Sequence, residues 1–299
     1  MATFVPDPVR VRVPATSANL GPGYDAFGLA LSLHDELEAE VLPEGLVVEV
    51  EGSGAEGVPR DESHLVVRAM RAAFDLMGAQ PPGLRLSCRN RIPHARGLGS
   101  SSAAIVAGVV LARGLVAGGQ LLASDEALFE LACDLEGHPD NVAAAFYGGF
   151  VVSGREGERW YAVRVGVDPR VAAVVFVPPT GVETTVARGL LPATVPHADA
   201  AANSGRAALL VAALAGQPEH LLAATRDWLH QDQREPAMPE TLALVRRLRA
   251  GGVPAVVSGA GPTVLAFGTA DTSTLREDCP DGWVCHDLAI ESSGATLLT

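Results

Sequence analysis

Lysine is absent from all 299 residues, so every one of the 22 basic side chains is an arginine. That absence removes whole reaction classes: no Schiff base on PLP or a carbonyl substrate, no Walker A lysine and no protein-kinase strand lysine. Cysteine is scarce. Cys88, Cys133, Cys279 and Cys285 form no CxxC pair and have no histidine at metal-ligand spacing, which indicates neither a zinc site nor a disulfide framework. Buried or incidental thiols in a reducing compartment are expected. Positive charge is in deficit: a formal net charge of −13 argues against nucleic acid or an anionic membrane as partner and favours a small solute. Aromatics supply only 5% of residues, which suits many short elements packed through small side chains. The most apolar run, "SSAAIVAGVVLARGLVAGGQLLAS", is interrupted by Arg113 and reads as a buried helix rather than a membrane span. Residues 1–20 carry Asp7, Arg10, Arg12 and three prolines with no apolar signal-peptide core, so a cytoplasmic location is expected.

The length is enough for one or two packed domains. "VRVRVPA" alternates like a half-buried strand ending at Pro14, and a glycine-rich loop follows. "ELEAEVL", "LVVEVEG" and "GLRLSCRNRIP" read as strands, with "SHLVVRAMRAAFDLMGA" as a helix N-capped by Ser63. Helices are expected from Gly99 to about Val116, over "DEALFELACDLEG" up to Gly137, and after Pro139. "FVVSG" and "WYAVRVGV" read as the two strands of a hairpin. Beyond it come the strand "RVAAVVFVPP" and helices near 184–191, 197–216, 218–230 and 239–250. "PAVVSGAGPTVLAFG" then reads as two strands split by a tight loop, and "GWVCHDLAI" as the last strand. No repeat or linker is visible, and the boundary between an N-terminal domain (1–165) and a C-terminal domain (166–299) is placed near residue 165.

Chemistry concentrates in three glycine-rich loops. In "PHARGLGSSSA" (93–103), glycines and serines precede a helix, so backbone N–H groups, hydroxyls and the helix dipole can converge on an anion. Taken alone, this stretch reads first as a serine cap after a glycine turn. It is not a nucleophile elbow, because no glycine follows the serine by two. "PATSANLGPGYDAFG" (14–28) and "VSGAGPTVLAF" (257–267) are further glycine loops at strand ends, where ligands are commonly held. Packing alone does not account readily for three such loops in one chain.

Together, in this order, the three blocks resemble the motifs of the GHMP small-molecule kinases, and the likeness runs the length of the chain. The first block is most similar to the branch of that family that phosphorylates the amino acid L-homoserine. The resemblance implies an α+β fold: an N-terminal domain like ribosomal protein S5 domain 2, a C-terminal ferredoxin-like domain, and an ATP site between them. It assigns the ATP phosphates to Pro93, His94, Ala95, Arg96, Gly97, Leu98, Gly99, Ser100, Ser101, Ser102 and Ala103. Mg²⁺ falls to Ser101 or Ser102 with Glu130 as carboxylate. For the acceptor, Asp25 helped by Asn19 would take the ammonium, Arg188 and Arg234 would clamp the carboxylate, and His138 and Gly259 would complete the site. Asp140 and Asn141 lie where the reacting hydroxyl is expected. Mevalonate kinases of the same family are thought to use an aspartate near this "DN" with a lysine, a dyad that a chain without lysine cannot complete. A homodimer is also implied.

Six of these residues have a structural alternative. Asn19 and Asp25 suit a turn, Arg188 and Arg234 an exposed surface, Glu130 a solvated helix face, and His138 the start of a helix. Rival functions are another GHMP activity on mevalonate, shikimate or a diphosphocytidyl precursor, and a non-catalytic nucleotide-binding protein. A serine hydrolase built on Ser100–Ser102 lacks the elbow that would support it.

Overall fold

The computed structural model describes residues 3–269 and 272–298, arranged around two β-sheets. Strand β1 (Val9–Ala18) turns Val11 and Val13 inward and Arg10 and Arg12 to solvent. It does not stop at Pro14. The register with β2 (Phe27–Leu42) shifts between Pro14 and Ala15 and resumes to Ala18↔Gly28, because a residue without an N–H is accommodated at a bulge. β3 (Gly45–Gly52) lies parallel to β4 (Gly83–Asn90), and β4 is antiparallel to β2. The hairpin β5 (Phe150–Glu156) and β6 (Arg159–Val165) attaches to the start of β2.

Helices α1 (Leu65–Met77), α2 (Ser100–Leu115), α3 (Gly119–Leu122), α4 (Asp125–Glu136) and α5 (Asp140–Tyr147) accompany this sheet. Its outward-facing side chains include an Arg–Glu ladder, with Arg85–Glu40 and Arg89–Glu51 each at 2.5 Å. These exposed pairs contribute little to stability. α1 starts one residue later than expected of a Ser63 cap: His64 is the N-cap and makes no side-chain cap bond, while Ser63 donates to Asp61 through both N–H and hydroxyl.

The second sheet is antiparallel, formed by β7 (Ala172–Val177), β8 (Ala255–Val257), β9 (Val264–Gly268) and β10 (Val284–Leu288) in the order β10-β7-β9-β8. α6 (Thr184–Gly189), α7 (His197–Gly216), α8 (Leu221–Ala224) and α9 (Pro239–Ala250) belong to this half. β7 is buried on both sides. Ala173, Val175 and Val177 join the main core with Leu210 and Leu214, while Val174 and Phe176 join a second core with Leu242, Val245 and Leu248.

Two expectations need correction here. The helix expected over 218–230 ends at Ala224, because the Asp227 carboxylate captures the N–H groups of Leu229, His230 and Gln231 and folds the chain into a turn. Nor is "GWVCHDLAI" the last strand. The chain re-crosses to the first sheet, where β11 (Thr296–Leu298) pairs with β1 and Ile290 bridges Leu31.

Candidate active site

α2 begins after a loop that crosses beneath both other glycine blocks. Ala95, Gly97 and Gly99 all adopt positive φ. A Cβ on Gly97 would lie 2.2 Å from the Ser258 carbonyl, and one on Gly99 would lie 1.9 Å from the Thr16 hydroxyl, so only glycine lets the three loops meet. Ser258 Oγ donates to the Gly97 carbonyl at 2.6 Å and bonds Ser17 Oγ at 2.8 Å. No side chain caps α2. Its first-turn N–H groups and positive dipole end are thus available to an anion.

The loops enclose a cavity of about 210 Å³. Its wall includes Asn19, Ala95, Gly97, Gly99, Ser100, Ser101, His138, Asp140, Asn141, Arg188, Arg234 and Gly259 from the residues expected. Asp25, Pro93, His94, Arg96, Leu98, Ser102 and Ala103 do not line it. Leu98, Ser102 and Ala103 are buried beneath it, and the Arg96 guanidinium is occupied by the carbonyls of His94, Pro178 and Pro179.

Glu130 is also elsewhere, half-buried beside Arg159 at 3.7 Å. The carboxylate at the serines is Glu136, whose Oε1 accepts from Ser101 Oγ at 2.6 Å and Ser102 Oγ at 2.7 Å. Six residues turn a helix by about 240°, so Glu130 and Glu136 cannot share a face of α4. Glu136 is the residue that the sequence reading passed over, although it lies immediately before the "GHPDN" already singled out.

His138 Nδ1 donates to Asp140 Oδ1 at 2.9 Å, and the Asn141 N–H donates to the same oxygen at 2.7 Å. Burial pushes the His138 pKa down, but the Asp140 bond and the charges of Asp140 and Glu136 outweigh it and hold the imidazole above its ordinary 6.5. Thr16 Oγ1 donates to Asn141 Oδ1 at 2.7 Å, which leaves the Asn141 Nδ2 group as a donor on the cavity wall.

On the acceptor side, Asn19 spends its amide on structure: Nδ2 donates to the Gly259 carbonyl at 2.8 Å and Oδ1 accepts the Asp25 N–H at 2.9 Å. Asp25 and Arg188, expected at opposite ends of a substrate, are paired with each other at 2.6 and 3.1 Å, and Arg188 also donates to Tyr24 Oη at 2.9 Å. Arg234 is not a surface cation. It is 1% exposed, lines the cavity, has no carboxylate within 4.0 Å among the described residues, and its buried Nε makes no hydrogen bond. A buried cation in that state costs several kcal/mol unless an anion joins it.

Anion loop, uncapped helix and paired sheets together define a phosphoryl-transfer enzyme of the GHMP class, and sequence comparison agrees. The family described as GHMP kinases N terminal domain matches residues 64–149, and GHMP kinases C terminal matches residues 207–278. A homoserine kinase of Streptomyces coelicolor is 57% identical, covering 97% of this chain and 94% of its own. One from Clavibacter michiganensis is 48% identical over 97% and 93%. The crystal structure of homoserine kinase from Cytophaga hutchinsonii superposes with a TM-score of 0.84 at 25% identity, covering 98% of each chain. Leishmania mevalonate kinase with bound R-mevalonate shares the fold at a TM-score of 0.69 and 17% identity. The chain belongs to the homoserine kinases, which are ATP-dependent, and its fold is the α+β two-domain fold of that family.

Proposed function

We propose that the cavity brings the γ-phosphoryl group of ATP in line with the hydroxyl of L-homoserine and yields O-phospho-L-homoserine for threonine synthesis. The observation that carries this reading is the meeting, in one cavity, of the uncapped α2 N-terminus with two arginines and His138 on the facing walls. The loop from Ala95 to Ser101 receives the phosphates through backbone N–H groups. The acceptor is a zwitterion, and Asp25 and Arg188 offer it opposite charges: the ammonium goes to Asp25, the carboxylate to Arg188 and Arg234. Asn141 Nδ2 donates toward the reacting oxygens, while Asp140 holds His138 and the Asn141 backbone in place. Positioning and charge neutralisation supply the rate.

Mg²⁺ is part of the proposal. Ser101 Oγ and the Glu136 carboxylate are hard oxygen donors, suited to an ion that keeps water and phosphate as its other ligands. No cluster of three or more His, Cys, Asp or Glu that could hold a metal occurs among the described residues, which is consistent with an ion carried chiefly by the nucleotide. Bound there, it would neutralise phosphate charge. A cytoplasmic location and a homodimer complete the reading. No helix among the described residues is long and apolar enough to cross a membrane, and sedimentation would measure the oligomeric state.

The test is ADP release from Mg·ATP with homoserine, mevalonate, shikimate and serine as separate acceptors, with products identified by mass spectrometry. Phosphohomoserine is the expected product. Turnover on another acceptor would overturn the assignment of the acceptor side, and ATP binding without any product would favour a non-catalytic protein.

A further inference from the structure

We infer that His230 is a positioning residue: its neutral imidazole accepts a hydrogen bond from Arg234 and thereby aims the guanidinium at the acceptor carboxylate. The inference rests on the reading of Arg234 as the carboxylate clamp.

His230 is completely buried in the turn that Asp227 folds, 2.7 Å from the Gly21 carbonyl through Nε2 and 3.1 Å from Arg234 Nη1 through Nδ1. A carbonyl oxygen only accepts, so Nε2 carries the proton. A guanidinium only donates, so Nδ1 must be the bare lone pair. The two contacts leave one tautomer and no room for a second proton. Arg234 Nη1 gives its other hydrogen to the Gly259 carbonyl at 3.0 Å. Both Nη1 hydrogens are thus committed to the protein, and the Nε and Nη2 edge is left without a hydrogen bond among the described residues. That edge is one of the two planar forks by which arginine takes a carboxylate bidentately.

Tyr24 completes the mount. Its ring lies 5.2 Å from the imidazole and under Arg234 at 5.7 Å and Arg188 at 5.6 Å. The charged groups around His230 are Arg234, Asp227 at 3.7 Å from Nε2, and Asp25, with Tyr24 as a further titratable neighbour. Burial, with Arg234 adding to it, holds the imidazole below its ordinary pKa of 6.5 against the pull of Asp227 and Asp25. An imidazolium would place an N–H against Arg234 and push the guanidinium out of register.

The test pairs two substitutions that differ in where the acceptor sits. His230→Asn places a carbonyl oxygen near the Nδ1 position, whereas His230→Gln places its polar end near Nε2 and leaves Arg234 without an acceptor. We expect His230→Gln to raise the homoserine KM about tenfold with the ATP KM within about twofold, and His230→Asn to recover most of that loss. Equal rises in both KM values, or Asn no better than Gln, would overturn the inference. Arg234→Leu separates it from the reading beneath it. If Arg234→Leu raises the homoserine KM and His230→Gln does not, only the role of His230 falls; if neither does, the clamp falls with it. Should both His230 variants fail to fold, ¹⁵N spectra of the unaltered enzyme decide, with the His230 signals assigned through contact with the Tyr24 ring. A neutral Nε2–H tautomer from pH 8 to pH 7 is expected, and an Nδ1–H or cationic ring in that range refutes the idea.

Discussion

Glu136 carries the densest hydroxyl contacts of any carboxylate on the cavity wall, accepting from two serines while only 10% of its side chain is exposed. Glu136→Gln keeps the size and one acceptor but removes the charge. Turnover should fall roughly 100-fold, the usual scale for deleting one preorganised charge-stabilising group, and added Mg²⁺ should recover part of it. Glu130→Gln should stay within about twofold, since its 3.7 Å pairing with the exposed Arg159 is worth little. Kinetics across a Mg²⁺ titration separate the two, and equal losses would contradict the placement. His138 adds a pH signature at the same scale. Its folded pKa is raised, so the Asp140 pair contributes stability that is fully present below 6.5 and is lost as pH rises through the folded value. The gap in thermal stability between the native enzyme and His138→Gln should therefore be widest below pH 6.5 and narrow as pH rises through the raised folded value.

At the scale of elements, the strand β2 anchors the approach to the phosphate loop. Asp35 is 5% exposed, and its Oδ1 accepts the N–H groups of Arg91 and Ile92 at 2.6 and 2.8 Å, just before Pro93. Burial pushes its pKa up to about 6 in spite of those bonds. The folded state then binds more protons than the unfolded chain between 3.8 and about 6, so this group's contribution declines as pH rises through that window. Asp35→Asn keeps an oxygen for both N–H groups and escapes the penalty. It should raise Tm at pH 7 to 8, by the equivalent of up to about 3 kcal/mol, with the difference vanishing near pH 4. Elements also show what was legible before the structure was known. The glycine loops could be read because backbone geometry demands those residue types: Gly97 and Gly99 face the Ser258 carbonyl and the Thr16 hydroxyl with no space for a side chain. The choice between Glu130 and Glu136 could not, since it depends on the rotation of α4 against α2. The Arg188–Asp25 pair spans 163 residues and has no local pattern. The turn at Asp227 defeated a helical reading because one carboxylate outbid the helix for three N–H groups.

For the whole molecule, the decisive feature is that the cavity draws its walls from loops and helices of both halves, so its shape depends on how the two halves are held. Val182, Glu183, Thr184, Arg188, Arg234, Gly259 and Ala260 come from the second half, and Asn19, Ala95, Gly97, Gly99, Ser100, Ser101, Glu136, His138, Asp140 and Asn141 from the first. The segment after β10 ties them. Ala289 exchanges bonds with Ser32, Glu291 meets His34 at 3.0 Å and accepts the Gly149 N–H, Arg164 reaches the Ser292 carbonyl, and Ala295 donates to the Ala145 carbonyl before β11 joins β1. None of these residues lines the cavity. Gly294 is the tightest point, where a Cβ would lie 2.0 Å from the Phe146 carbonyl. Gly294→Val must therefore displace the strap from α5. It should cost about 1–3 kcal/mol, the range for overpacking a filled site, seen as a Tm lowered by several degrees. If the strap sets the separation of the walls, the KM values for ATP and homoserine should rise together, in contrast to the homoserine-selective loss expected at Arg234. A lowered Tm with both KM values unchanged would show that the sheets hold their spacing through the β7 core alone.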